Sequence, residues 1–140
     1  WYGYENPFVN MDGIMMQSVS GGGHHGGGIF ISAADQARFG LLFLRKGKWK
    51  NEQLLSEKWV NEAHLPSRAK SDYGYMWWIN SKERWKDVSD DIYFGAGFGG
   101  NYIVIDQAND LVVVTRWMDD NKMGEFMKLL EQSLMKGSKK

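Results

Sequence analysis

The sequence predicts an α+β fold in which an antiparallel sheet is flanked by helices. Three observations carry that expectation. Two strand-like runs, "NYIVID" at 101–106 and "LVVVTRW" at 111–117, meet across the turn "QAND" at 107–110. Two segments with helical spacing, one starting at Ser32 and one covering 121–136, bracket them. An aromatic, extended stretch, "YGYMWWIN" at 73–80, supplies a further strand.

Taken in order, residues 1–31 are rich in Gly, Met and aromatics with no sustained period. They read as loops and short extended pieces. The first helix begins at "SAAD", with Ser32 as N-cap and Asp35 in the first turn, where a carboxylate favours the helix dipole. Ala34, Ala37, Leu41 and Leu44 are expected to line its buried face, widened by Phe39, Leu42 and Phe43. Arg45 and Lys46 sit at its C-terminal end, and Gly47 stops it. A shorter helix follows, capped by Ser56, with Trp59, Val60 and Ala63 inward and Pro66 just after it.

After the strand at 73–80, the polar run "SKERWKDVSDD" at 81–91 reads as a surface loop. Leu111 to Val114 lack polar alternation, which predicts cover on both faces of that strand. In the last helix, Met123, Phe126, Met127, Leu130 and Leu134 keep helical spacing, and Gly137 ends it. That helix is expected to lie on the sheet.

Composition narrows the function classes. The chain has 140 residues, 43% hydrophobic and 14% aromatic, so a packed core is expected rather than disorder. Basic and acidic residues number 17 each, which removes the electrostatic case for nucleic acid or an anionic membrane. No apolar run reaches the length of a membrane span. Cysteine is absent, which excludes disulfides and thiolate metal sites but leaves the compartment open. No signal peptide is visible. The chain starts at Trp1 inside "WYGYENPF", so a piece of a longer protein is expected.

Several segments invite a chemical role. His24 and His25 stand between two runs of three glycines in "SGGGHHGGGIFIS". Adjacent histidines diverge in an extended chain, and His64 is the only other one, so no metal site is expected. No Lys follows the glycines as a phosphate-binding loop would require. The simpler reading is a glycine-rich approach to the Ser32 helix. A second glycine cluster, "YFGAGFGGNYIVID" at 93–106, has Gly at 95, 97, 99 and 100. Either these residues supply positive φ to a tight turn, or Gly95–Gly97 forms a bare strand edge that a substrate backbone can approach. The residues alone leave both readings open.

Ser-x-x-Lys, which can place a nucleophile beside its base, occurs as Ser67–Lys70 and Ser133–Lys136. Chance supplies about one such match in a chain of this composition. Ser67 follows Pro66 in a loop, and Ser133 lies beside the apolar stripe of the last helix, so both are read as accidental. Tyr73, Tyr75, Trp77 and Trp78 form either a ligand platform or, more commonly, core and edge cover on a sheet.

Three segments, "GGGIFISAADQARFGLLFLRKGKWKNEQLLSEKWV", "YGYMWWIN" and "YFGAGFGGNYIVIDQANDLVVVTRW", carry a resemblance in their order and spacing. Together they resemble the C-terminal part of the serine beta-lactamase-related hydrolases. That family holds class C beta-lactamases, DD-peptidases, esterases and 6-aminohexanoate-dimer hydrolase-like enzymes. The resemblance implies the C-terminal portion of the beta-lactamase/transpeptidase-like fold, with residues 1–140 as a single partial domain. Residues 1–31 would then be Gly/aromatic-rich loops, and 32–140 the helices, antiparallel strands and C-terminal helix of an α/β lobe.

The resemblance also implies chemistry. The family nucleophile is the Ser of Ser-x-x-Lys, helped by that Lys and by the Tyr of Tyr-x-Asn, all upstream of the matched region. Tyr4-Glu5-Asn6 fits the letters of the second motif but stands where the family continues after its helical lobe, so it is read as accidental. The family's third motif, Lys/His/Trp-x-Gly, maps onto Gly95-Ala96-Gly97 as a substrate-binding strip. Gly95 departs from the usual Lys or His, which weakens the beta-lactamase and peptidase readings relative to an esterase or amidase. Phe98 would give one backbone N–H of the oxyanion hole, a donor typically worth roughly 3 kcal/mol of transition-state stabilisation.

The expected function is therefore the C-terminal segment of a serine hydrolase acting on an ester or amide through an acyl-enzyme, inactive alone. The alternative is a non-catalytic remnant or binding module of the same fold. No cofactor and no metal are implied. The expected partners are a small-molecule ester or amide in the parent and either the missing N-terminal part or a second copy. Nucleic acid and membrane are not expected. The family is often exported, but nothing in the chain itself assigns a compartment.

Overall fold

The computed structural model describes residues 8–11, 13–17, 31–80 and 84–137. Contacts divide the chain into two compact units, Trp1–Ser32 and Ala33–Lys140. In the first unit, β1 (Phe8–Met11) and β2 (Ile14–Gln17) pair antiparallel, Phe8 opposite Gln17. Asn10 Oδ1 accepts from the Gly13 N–H at 2.7 Å and closes the turn. The short extended pieces expected there are this hairpin. His24, His25 and Tyr4-Glu5-Asn6 lie outside the described residues.

The second unit opens with α1 (Ala33–Leu44), one residue after Ser32. Its end is closed by Gly47, whose N–H donates to Leu42 O at 2.8 Å. The buried side is Gly40, Phe43 and Leu44. Leu41 and Phe39 remain exposed, so the expected stripe through Ala34, Ala37 and Leu41 is only partly covered. A small hairpin follows, β3 (Lys48–Trp49) with β4 (Glu52–Gln53), in a stretch too short and polar to announce itself in the sequence.

α2 (Glu57–Ala63) starts where expected, with Ser56 Oγ accepting from Trp59 N–H at 3.1 Å. Val60 and Ala63 are fully buried. Trp59 is not inward: it is largely exposed and tilts onto Phe43, ring centroids 6.0 Å apart.

Of the strand expected over 73–80, only β5 (Trp78–Ile79) forms, with an isolated bridge between Tyr73 and Trp78. The cause is a turn in which Gly74 N–H donates to Trp77 O at 2.8 Å and Tyr75 N–H is drawn to Ala63 O at 2.8 Å. The sheet is completed by β6 (Ile92–Gly97), β7 (Asn101–Asp106) and β8 (Leu111–Thr115). Strand order is β5-β6-β7-β8, antiparallel throughout. The β7–β8 turn is anchored by the fully buried Asp106. Its carboxylate accepts from Asn109 N at 3.1 Å and from Asn109 Nδ2 at 2.7 Å.

Both faces of the sheet carry helices, as the sequence predicts. On one face, α3 (Asp120–Gly137) lays Met123 and Met127 against Phe94, Tyr102 and Val104. On the other, Phe43 and Leu44 of α1 and Val60 and Ala63 of α2 meet Tyr93, Ile105 and Trp77. Val60, Phe94, Val104, Ile105, Met123 and Met127, fully buried among these, each contribute about 1.5–3 kcal/mol through removal from water. α1 lies over β7 and β8; a β-carbon on Gly40 would stand 2.6 Å from Val112 Cγ1, so only glycine permits that approach.

The 81–91 segment departs from the expected surface loop. Trp85 and Val88 are buried, and Trp85 stacks on Phe94 with centroids 4.2 Å apart. The buried Asn80 side chain organises the turn, accepting from Trp85 N at 3.2 Å and donating to Ser89 O at 2.9 Å. Leu111 to Val114 are half-buried rather than enclosed, because β8 is the outermost strand of the sheet among the described residues.

Candidate functional site

β6 is the strand on which the sequence places its site, and its two halves differ. Tyr93 and Phe94 pair with Ile79 and Trp78 of β5. Gly95, Ala96 and Gly97 run on beyond β5 and pair only with β7, opposite Ile103, Tyr102 and Asn101. A bare edge three residues long results among the described residues.

The direction of the backbone groups on that edge follows from one hydrogen bond. Asn80 N–H donates to Ile92 O at 2.8 Å, so Ile92 faces the β5 side. Alternation then turns Phe94 and Ala96 to the same side, and Tyr93, Gly95 and Gly97 toward β7. The Ala96 N–H and C=O therefore point out from the edge. Gly97 C=O points to Asn101, and in a trans peptide the next N–H points the opposite way. The Phe98 N–H thus leaves on the same side as that of Ala96. The Phe98 C=O accepts from Asn101 Nδ2 at 2.6 Å, and its side chain is 100% exposed.

The four glycines divide between the two readings. Gly99 and Gly100 have φ of 78° and 69°, and a β-carbon on Gly100 would meet Met118 O at 1.7 Å. These two belong to the tight turn. Gly95 and Gly97 have neither positive φ nor a close neighbour. The nearest atoms to a β-carbon there are Trp77 Cζ3 at 3.9 Å and Asn101 at 3.7 Å. They leave the edge bare without any steric demand. Trp117 and Met118, which the sequence did not single out, brace the turn: Met118 N–H donates to Gly100 O at 3.2 Å. The strand expected through Trp117 ends at Thr115, which frees Trp117, 80% exposed, for the turn.

The other candidates are occupied elsewhere. Ser67 Oγ is bound into its own turn, accepting from Lys70 N at 3.1 Å. Lys70 Nζ lies 4.0 Å over the Trp78 ring and 3.6 Å from Asp72. Ser133 Oγ donates to Leu130 O at 2.7 Å within α3. Ser67 thus does not meet Lys70 as nucleophile and base, and the Lys136 side chain lies outside the described residues. His64 Nδ1 donates to Val60 O at 2.9 Å, and its ring stacks on Tyr93 at 4.2 Å. Burial holds the imidazole pKa below its usual value, with the Val60 bond opposing.

Tyr102 stands across the ladder from Ala96, but its hydroxyl donates to Asp120 Oδ1 at 2.8 Å. Burial, and then the Asp120 carboxylate, push it up to about 12, so it stays protonated. The aromatic group is split. Trp77 is core, Tyr75 is exposed, and Trp78 sits between Lys70 and the Arg84 guanidinium, 4.2 Å from its ring. No cluster of three or more potential metal ligands occurs among the described residues. No helix among them is long and apolar enough to cross a membrane.

No family model matches the chain, and no curated protein matches it. Among solved structures, the chain is similar to a protein described as a 6-aminohexanoate-dimer hydrolase from Bacillus anthracis. The TM-score is 0.57 and the identity 21%, over 80% of this chain and 31% of that one. The chain thus spans about a third of that protein's length. At this identity the likeness is one of fold alone: α+β, with the antiparallel sheet and flanking helices of the beta-lactamase-like fold.

Proposed function

We propose that the chain is the C-terminal part of a serine hydrolase of this fold, acting on an ester or amide through an acyl-enzyme. The observation that carries the reading is the outward N–H of Phe98 at the end of the bare edge Gly95–Gly97. A substrate lying along that edge meets the Ala96 N–H and C=O, and its carbonyl oxygen reaches the Phe98 N–H. As negative charge develops on that oxygen during acyl transfer, a fixed N–H dipole stabilises it without reorganising. The serine nucleophile, its lysine and a tyrosine acid/base come from the polypeptide upstream.

Gly95 shapes the substrate preference. A Lys or His at that position would hold a substrate carboxylate; glycine leaves no charge there, which favours an uncharged ester or amide over a carboxylate-bearing beta-lactam. Ser67 and Ser133 are both held by neighbouring backbone, and on this reading the chain by itself is inactive.

The test has two parts. This chain is offered a chromogenic ester and a chromogenic cephalosporin, and the upstream reading frame is sequenced. The expected result is no turnover by the chain and an upstream Ser-x-x-Lys followed by Tyr-x-Asn. Covalent labelling of Ser67 or Ser133 that tracks turnover would contradict it. An upstream sequence without Ser-x-x-Lys would instead favour a non-catalytic binding module.

A further inference from the structure

We propose that Gly95 and Gly97 open a recess for an uncharged aromatic ring of the substrate, walled by Trp77 and Phe39. That the ring belongs to a substrate rests on the acyl-transfer reading; the recess itself rests on packing.

Alternation assigns the faces of β6. Tyr93 joins Phe43 and Ala63 in one core cluster, and Phe94 joins Met123 in the other. Gly95 and Gly97 therefore lie on the Tyr93 face, the side that carries α1 and α2. Along β6 that face is filled as far as Tyr93, which is 1% exposed, and then stops. A β-carbon on Gly95 would have one neighbour within 4 Å among the described residues, Trp77 Cζ3 at 3.9 Å.

Trp77 forms one wall. Phe43 at 4.6 Å and Tyr93 at 5.2 Å hold its ring in place. Phe39 of α1 stacks on Trp77, planes 12° apart and centroids 6.1 Å apart, and packs on Phe43 at 5.0 Å. Its other side is open, and Phe39 stays 46% exposed. Ile103, opposite Gly95 on β7, is half-buried beneath Gly40 of α1 and closes the third side. None of these walls carries a charge.

The backbone does not need glycine at 95 or 97, since neither has a positive φ or a close neighbour. Each gives up more chain entropy in a strand than alanine would. The space left open is therefore what glycine supplies there. It runs about 7 Å along the strand, room for one six-membered ring, and it opens beside the outward N–H groups of Ala96 and Phe98. A ring gains offset and edge contacts against aromatic walls. A charged group would lose its hydration there and find no partner.

The probe is 2-phenylethyl acetate, with methyl acetate as the control without a ring. Titrated into this chain and followed by amide NMR, 2-phenylethyl acetate is expected to shift Gly95 and Gly97 at low-millimolar concentration. Methyl acetate should need at least ~10-fold more. Gly95→Val, which fills the recess, should weaken the binding at least ~10-fold, and Gly95→Ala should weaken it less. In the polypeptide from the whole reading frame, kcat/KM for 2-phenylethyl acetate relative to methyl acetate should fall at least ~10-fold in Gly95→Val. Equal shifts by the two esters, binding that Gly95→Val leaves intact, or an unchanged ratio would overturn the proposal. A Gly95→Val polypeptide that unfolds more readily at an unchanged ratio would put an upstream side chain in the recess instead. The titration needs no catalysis, so an unmodified polypeptide that hydrolyses neither ester would count against the acyl-transfer reading alone.

Discussion

Trp117 lies against Gly99 so closely that a β-carbon on the glycine would stand 2.8 Å from the indole Cζ3. The contact holds the turn that presents Phe98. It also separates glycines needed by the backbone from glycines needed by the edge. Gly100→Ala is expected to cost more than about 2 kcal/mol, through its positive φ and the collision with Met118 O. Gly95→Ala should be neutral or stabilising by about 0.5 kcal/mol, since a strand glycine gives up more chain entropy than alanine. Urea unfolding of the two variants measures both. Equal losses would mean that Gly95 is structural after all.

Amide exchange reads the bare edge directly. Gly95 and Gly97 turn their N–H groups to β7, whereas Ala96 turns its own outward. Ala96 is expected to exchange at least ~10-fold faster than either neighbour, as an N–H without a ladder partner does. Uniform protection across 95–97 would show that another segment covers the edge.

His64 gives the stability a pH dependence below neutrality. Burial lowers its folded pKa beneath the unfolded value of about 6.5, so the unfolded chain takes up the proton first. Its contribution is fully present above about pH 7 and is lost as pH falls through 6.5 toward the folded pKa. Urea midpoints measured between about pH 7.5 and pH 5.5 should fall on acidification. His64→Phe, which keeps a ring on Tyr93, should flatten that slope. An unchanged slope would assign the effect to other groups.

The segment between β5 and β6 should behave as core. Trp85 is 6% exposed and stacks on Phe94, so Trp85→Ala is expected to cost about 3–5 kcal/mol. Asn80→Ala leaves the Trp85 N–H and the Ser89 carbonyl without their side-chain partner and should cost about 1–3 kcal/mol. Thermal unfolding followed by tryptophan fluorescence checks both. Losses below about 0.5 kcal/mol would return the segment to a surface loop.

How much of this was legible in the sequence varied with how local its causes are. β7 and β8 were readable because six and five consecutive residues carry the β signal, with a turn between them. α2 was readable from Ser56, a cap acting three residues away. The strand at 73–80 shrank to two residues because Gly74 and Tyr75 answer to Ala63, which no local pattern reveals. Trp85 and Val88 were hidden for the same reason: two apolar residues in a charged run acquire their partners from Asn80, Phe94 and α3. Ala34 and Leu41 were expected to be buried with Leu44, yet Ala34 is exposed and Leu41 keeps 36% of its surface in solvent. At the candidate site, the residues alone left the edge and turn readings of the glycines open, and Gly95–Phe98 were put forward only through the family resemblance. Only the ladder separated edge glycines from turn glycines.

The Phe98 N–H is proposed to serve the transition state of acyl transfer. Proline at 98 deletes that N–H together with the exposed phenyl ring, and Phe98→Ala, which removes the ring and keeps the N–H, is the control. Phe98 is the first residue of a turn, a position proline accepts, and its N–H takes no part in the ladder. The measurement is esterase kinetics of the polypeptide from the whole reading frame, with and without Phe98→Pro. A fall in kcat of about 100-fold or more at little change in KM is expected. An unchanged kcat in a folded Phe98→Pro protein would contradict it.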